Sequence, residues 1–228
     1  MTAQAQATRD QAEARASYQQ ANAGPHSATL RAELARHTGG FFGDGNFQPG
    51  ALRTFDGRYR PVPGLRYHAS LRLLEAQDSI DTDSTHLWPV GSLRGFDLGP
   101  TEGPNRPAVR RFRPRLVKEG SAGTRRDFVE VLTAVDAGPL LLAWLYAPGP
   151  ADAPAGRPSA APVLLAGAGN APDEPLRPLD LSQAAVLRLF GKRADDLRQF
   201  AEAQHLRFDQ PTEVARLIDH YNRVAVVR

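Results

Sequence analysis

Hydrophobic positions change their rhythm along this chain. Residues 1–26 are rich in Ala, Gln, Arg and Glu, with Tyr18 as the large apolar side chain. That composition can form a helix but has little to bury, and it predicts a frayed or partner-dependent arm. Ser27 to His37 then predicts a short helix, with Ser27 as its N-cap and Gly39 just past its end.

From Gly39 to Ala147 short apolar runs are separated by turn residues. Gly43-Asp-Gly-Asn46 and Asp56-Gly57 mark tight turns, the second a hairpin. Leu65 to Leu74 alternates as one strand, with Leu65, Tyr67, Ala69, Leu71 and Leu73 on one face. Phe128–Val135 and Pro139–Tyr146 flank Asp136-Ala-Gly138 as a β-hairpin. Its second arm is apolar on both faces, so that strand belongs in the middle of a sheet.

Residues 147–162 are rich in Pro, Ala and Gly, which predicts a linker or long exposed loop, and Val163–Ala166 predicts one further strand. Three helices are expected after residue 179. The first is capped by Asp180, with Gln183 reaching back and Gly191 after its last turn. The second, Ala194 to His205, turns Ala194, Leu197, Phe200 and Ala201 to one side, and the third, Thr212 to Tyr221, turns Val214, Leu217, Ile218 and Tyr221.

The expected fold class is α+β: an antiparallel sheet or partly open barrel with a C-terminal three-helix unit. The expected organisation is a helical or disordered arm over 1–38, a β-rich core domain over 39–147, a linker with one strand over 148–178, and a helical unit over 179–228.

Composition narrows the chemistry. Cysteine is absent, which excludes disulfides, thiolate metal sites and cysteine nucleophiles and fits a cytoplasmic protein. No apolar run reaches the length of a membrane span, and the N-terminus lacks a basic stretch followed by an apolar one, so neither a membrane helix nor a secretory signal is expected. The formal net charge is +3, yet 26 of the 28 basic residues are arginine. Arginine binds phosphate bidentately and stacks on bases. A GC-rich genome explains the same bias, since Ala, Gly and Pro are abundant too.

Leu181-Ser-Gln-Ala-Ala-Val-Leu-Arg-Leu-Phe-Gly191, then Lys-Arg-Ala-Asp-Asp-Leu197-Arg198, resembles the helix-turn-helix of MerR-like and excisionase-like winged-helix proteins. The resemblance covers about 40 of 228 residues. It implies Gly191 as the turn and Arg198 on a recognition helix that begins at Arg193. Such a helix puts polar and basic side chains, here Arg193, Arg198, Gln199 and Gln204, into the major groove. Lys192 stands where that family buries an apolar residue, and Arg193 replaces its Ser cap. Asp195, Asp196 and Glu202 put negative charge where phosphate would approach. A helical cap that packs on the sheet or mediates oligomerisation explains the segment as well.

Arg111, Arg113 and Arg115 alternate, so a strand would project them from one face. With Arg125 and Arg126 they belong to the segment 94–126, which holds nine basic and three acidic residues. That is an electrostatic footprint for a phosphate backbone, or equally a charged edge strand that resists aggregation.

Glu75, Asp78, Asp81 and Asp83, followed by His86, form an acidic cluster able to hold Mg²⁺ or Ca²⁺. Asp81-Thr-Asp83-Ser-Thr85 is similar to the Asp-x-Asp-x-Thr motif of haloacid-dehalogenase-like phosphatases, without the hydrophobic strand that precedes it there. Gly39-Gly-Phe-Phe-Gly-Asp-Gly-Asn-Phe47 resembles the LAGLIDADG homing-endonuclease signature but is one residue short and lacks its first acidic position. A glycine-rich turn accounts for it better. No His-x-x-x-His pair or Gly-x-Ser-x-Gly motif is present.

These observations favour a non-catalytic DNA-binding protein, without a cofactor and with homo-oligomerisation open. The alternatives are a structural component of a virion or other large assembly, and a Mg²⁺-dependent nuclease using Asp78, Asp81 and Asp83.

Overall fold

The computed structural model describes residues 3–36, 40–79, 84–100, 108–118, 123–146 and 161–226. Two helices come first, α1 (Ala3–Asn22) and α2 (Gly24–Arg36). Eight strands follow: β1 (Gln48–Arg53), β2 (Tyr59–His68), β3 (Leu73–Gln77), β4 (Thr85–Pro89), β5 (Gly95–Leu98), β6 (Arg110–Lys118), β7 (Thr124–Val131) and β8 (Leu141–Leu145). The chain continues with β9 (Val163–Gly167), the two-residue β10 (Arg177–Pro178), α3 (Gln183–Arg188), α4 (Ala194–Ala203) and α5 (Pro211–Val226). The strands form one open sheet in the order β10-β9-β8-β7-β6-β5-β1-β2-β3-β4. The α+β expectation, with an unclosed sheet and three helices at the C-terminal end, describes this architecture.

The chain divides into two compact units interleaved along the sequence. Unit 1 is Met1–Pro114, Arg126–Phe128 and Tyr146–Pro162; unit 2 is Arg115–Arg125, Val129–Leu145 and Val163–Arg228.

Unit 1 is held by an aromatic centre. Phe96 and Phe112 stack at 4.6 Å, and Phe128 meets Phe96 edge-on at 5.0 Å. Tyr67 joins them, and its hydroxyl donates to the buried Asp127 at 3.1 Å. Such ring pairs contribute about 0.5–1.5 kcal/mol each beyond their area. Asp56-Gly57 makes the β1–β2 turn as expected, with Gly57 at φ +82°.

The single strand expected over residues 65–74 is a hairpin instead. β2 ends at His68, Ala69 to Arg72 turn, and β3 pairs back on it from Leu73. The chain reverses through Arg72 at φ +53°, a conformation an arginine side chain does not advertise.

The N-terminal segment is a helix packed on the edge strand β4. Ala21 is buried with Leu73 and Leu87, and Tyr18 lies 4.2 Å from the Trp88 ring. The Asn22 carboxamide donates to the Leu87 carbonyl at 2.7 Å and accepts from the Leu87 amide at 2.8 Å. Tyr18 also hydrogen-bonds His86 Nδ1 at 2.9 Å. Helix α2 starts at Gly24, three residues before the expected cap Ser27, which is buried.

In unit 2, β8 is apolar on both sides, as its sequence predicts. Leu142 with Leu164 and Ala166 lies under the helices, while Leu141 and Ala143 join Val117, Val129, Val131, Leu165 and Leu176. Val214, Leu217 and Ile218 of α5 are fully buried in the first cluster, together with Leu197 and Ala201 of α4. Ser182 caps α3, accepting from the Ala185 amide at 3.3 Å, where Asp180 was expected. Among the described residues no helix is long and apolar enough to cross a membrane.

Candidate functional site

The arginine stripe on β6 is absorbed by the fold. Arg113 is buried; its Nη1 donates to Asp97 at 2.7 Å and to the Phe112 carbonyl at 2.8 Å. Asp97 also accepts from Arg53 Nη2 at 2.8 Å. Arg115 is buried too, and donates to the carbonyls of Ala168, Gly169 and Ala171, tying down the segment after β9. Guanidinium groups spent on internal acceptors cannot meet a phosphate. Sequence alternation assigns the face of a strand correctly but does not say whether that face is covered, and here it is. Arg111 and Arg125 are half-buried, Arg126 is exposed, and all three are engaged within the protein.

Arg193 and Arg198 belong to the helical end of unit 2. Gly191, at φ +53°, turns the chain between α3 and α4, where the helix-turn-helix resemblance expects a turn. Arg198 is exposed and pairs with Asp195 at 2.9 Å; Arg193 faces Asp196 at 3.4 Å; Gln199 is exposed.

Of the acidic cluster, Asp81 and Asp83 lie outside the described residues. Asp78 pairs with Arg60 at 2.8 Å and with His86 Nε2 at 2.8 Å. Among the described residues no group of three or more His, Asp or Glu side chains is placed to hold a metal ion. Glu75, just upstream, is buried on β3 and chelated by Arg66, whose guanidinium lies between the rings of Phe41 and Phe47. Burial pushes the Glu75 carboxyl above its ordinary value, against the pull of Arg66.

The chain matches no protein-family model, no curated protein and no solved structure.

What unit 2 does present is a groove of about 900 Å³ between the 132–140 loop and the helices α4 and α5. Val135, Pro139 and Phe200 supply apolar lining, with Gln204, Arg216 and Arg223 at its polar margin. Val135 is 48% exposed.

Three interactions fix the loop that forms one wall. Asp219 of α5 accepts from the Ala134 amide at 2.7 Å. The buried Asn222 accepts from the Leu140 amide at 2.9 Å and donates to the Leu140 carbonyl at 2.8 Å. Gly138 packs so closely that a Cβ on Gly169 would stand 2.4 Å from its carbonyl oxygen. The groove is therefore built before any ligand arrives.

Its charge is net positive, two arginines against one aspartate. Arg216, Asp219 and Arg223 share a stripe of α5 at i, i+3 and i+7. Asp219 is spent on the loop, whereas Arg216 and Arg223 are exposed and have no ion-pair partner among the described residues. On the neighbouring face His220 stacks on Phe200 at 3.7 Å. Burial, then the charges of Arg223 and Arg193, lower the His220 pKa below the ordinary imidazole value.

The sequence reading missed this site. Its third helix stopped at Tyr221, short of Arg223, and nothing local joins residues 134–139 to 200–223. The visible signal was the cationic i, i+7 pair on α5.

Proposed function

We propose that this protein is a binding module, whose groove between the 132–140 loop, α4 and α5 takes a ligand with an apolar body and negative charge. The observation that carries the reading is the pairing of a preformed apolar groove with two exposed arginines on its margin. Apolar concavities with a few placed polar groups are the usual form of ligand sites, and 900 Å³ lies within their range. Burial of the ligand body supplies affinity, and the guanidinium groups select for charge.

The test uses anilinonaphthalene sulfonate, an aromatic anion that fluoresces in apolar surroundings. Folded protein should bind it saturably and gain stability. At a hundredfold excess over Kd the gain is about 2.7 kcal/mol, read as a rise in Tm. Val135→Asp should abolish binding while leaving the ligand-free Tm unchanged, because Val135 is exposed. Undiminished binding by that variant overturns the reading.

A second reading is DNA contact through α4. It is favoured by the α3–Gly191–α4 arrangement and by exposed Arg198 and Gln199 on one helix. Its phosphate contacts must then come from surface cations and not from Arg113 or Arg115. Titration with duplex and single-stranded DNA across a salt series decides it, since absence of binding at the lowest salt ends the idea.

A further inference from the structure

The spacing of the two marginal arginines constrains the ligand further, on the premise that the groove is a binding site. Arg216 and Arg223 are seven residues apart on α5, so they lie two turns, about 10 Å, apart along the helix axis. A single carboxylate placed midway between them also meets the Asp219 carboxylate. Between them sits Asp219, already committed to the Ala134 amide, which repels negative charge at the centre. The ligand that suits this margin best carries two negative groups about 10 Å apart, clear of Asp219, with a neutral, apolar middle.

An α-helix meets that requirement with the same geometry as α5 itself. Acidic residues at i and i+7 are two turns apart on one face, and positions i+3 and i+4 lie between them on that face. An extended peptide matches it less closely, since side chains on one face of a strand recur at about 7 and then 13 Å. We infer that the groove receives an amphipathic helix of a partner protein: two acidic side chains reach Arg216 and Arg223, and the apolar pair between them packs on Val135, Pro139 and Phe200. This is helix-in-groove recognition, with charge setting the register.

The experiment is fluorescence anisotropy with the full chain and a labelled helical peptide carrying glutamates seven residues apart and two leucines between them. Controls are the same peptide with the glutamates four apart, and one with lysines in their place. The seven-spaced peptide should bind best, weaken with salt, and lose roughly fivefold or more in affinity to R216E/R223E, because each exposed pair is worth a few tenths to about one kcal/mol. The lysine peptide should gain affinity for that charge-reversed variant, which shows in the same assay that the variant is folded.

Equal binding of the seven- and four-spaced peptides overturns the helix assignment. So does failure of every peptide to bind a protein that still binds anilinonaphthalene sulfonate, which leaves the groove as a small-molecule site. Loss of both dye and peptide binding overturns the groove itself.

Discussion

Replacing Asp97 by alanine removes the acceptor that balances a buried guanidinium, and the structure sets the size of the penalty. Asp97 is 2% exposed and Arg113 7%. The carboxylate accepts Arg113 Nη1 at 2.7 Å and Arg53 Nε and Nη2 at 3.1 and 2.8 Å. Arg53 has a side chain 42% exposed and can turn to water, so its loss costs little. Arg113 cannot. Stranding one partner of a buried pair costs about 3–5 kcal/mol. Arg113 keeps its bonds to the carbonyls of Phe96 and Phe112, which favours the lower end, about 3 kcal/mol. At about 2–4 °C per kcal/mol for a chain of this size, Tm should fall by about 6–12 °C.

The partner variant Arg113→Met should cost less, because Asp97 retains Arg53. The double variant D97A/R113M should recover at least 1.5 kcal/mol relative to the sum of the singles, since neither member of this pair is left buried without the other. Urea unfolding of the four proteins, followed by circular dichroism, measures all three terms. A D97A midpoint within about 1 kcal/mol of the parent, or strict additivity in the double variant, refutes the reasoning.

Three further outcomes are expected. Asn222→Ala strands the Leu140 amide and carbonyl and should cost about 2–3 kcal/mol, with faster amide exchange over 134–140 than in the parent; unchanged exchange there means the loop is held by something else. Gly169→Ala places a Cβ 2.4 Å from the Gly138 carbonyl oxygen and should destabilise the protein by more than 1 kcal/mol in urea unfolding, with raised exchange around Gly138. His220 has a folded-state pKa below its unfolded one, so the unfolded chain takes up its proton first as pH falls. Its share of stability is full above about pH 6.5 and is lost below that value, and His220→Gln should flatten the urea midpoint between pH 7.5 and 5; identical pH profiles would falsify the assignment.

How far the sequence could be read depended on whether a feature was local. The α5 stripe of Val214, Leu217 and Ile218 and the two-sided apolarity of β8 follow from neighbours in the chain, and the structure buries these residues as expected. The turn at Ala69–Arg72 was hidden because Leu71 continues the alternation of β2 while the backbone reverses at an arginine. Arg113 and Arg115 read as surface cations because their balancing groups, Asp97 and the carbonyls of residues 168–171, come from other segments. The groove was illegible for the same reason, since its loop and its helices are about 60 to 90 positions apart in the chain.

The carboxamide of Asn22 occupies the outward amide and carbonyl of Leu87, the slots through which a sheet margin recruits foreign strands. A peptide-shaped side chain thus acts as a stopper at that position. Helix α1 also precedes β4 in the chain, so during synthesis the stopper leaves the ribosome before the margin it blocks, and nascent chains never carry β4 without it.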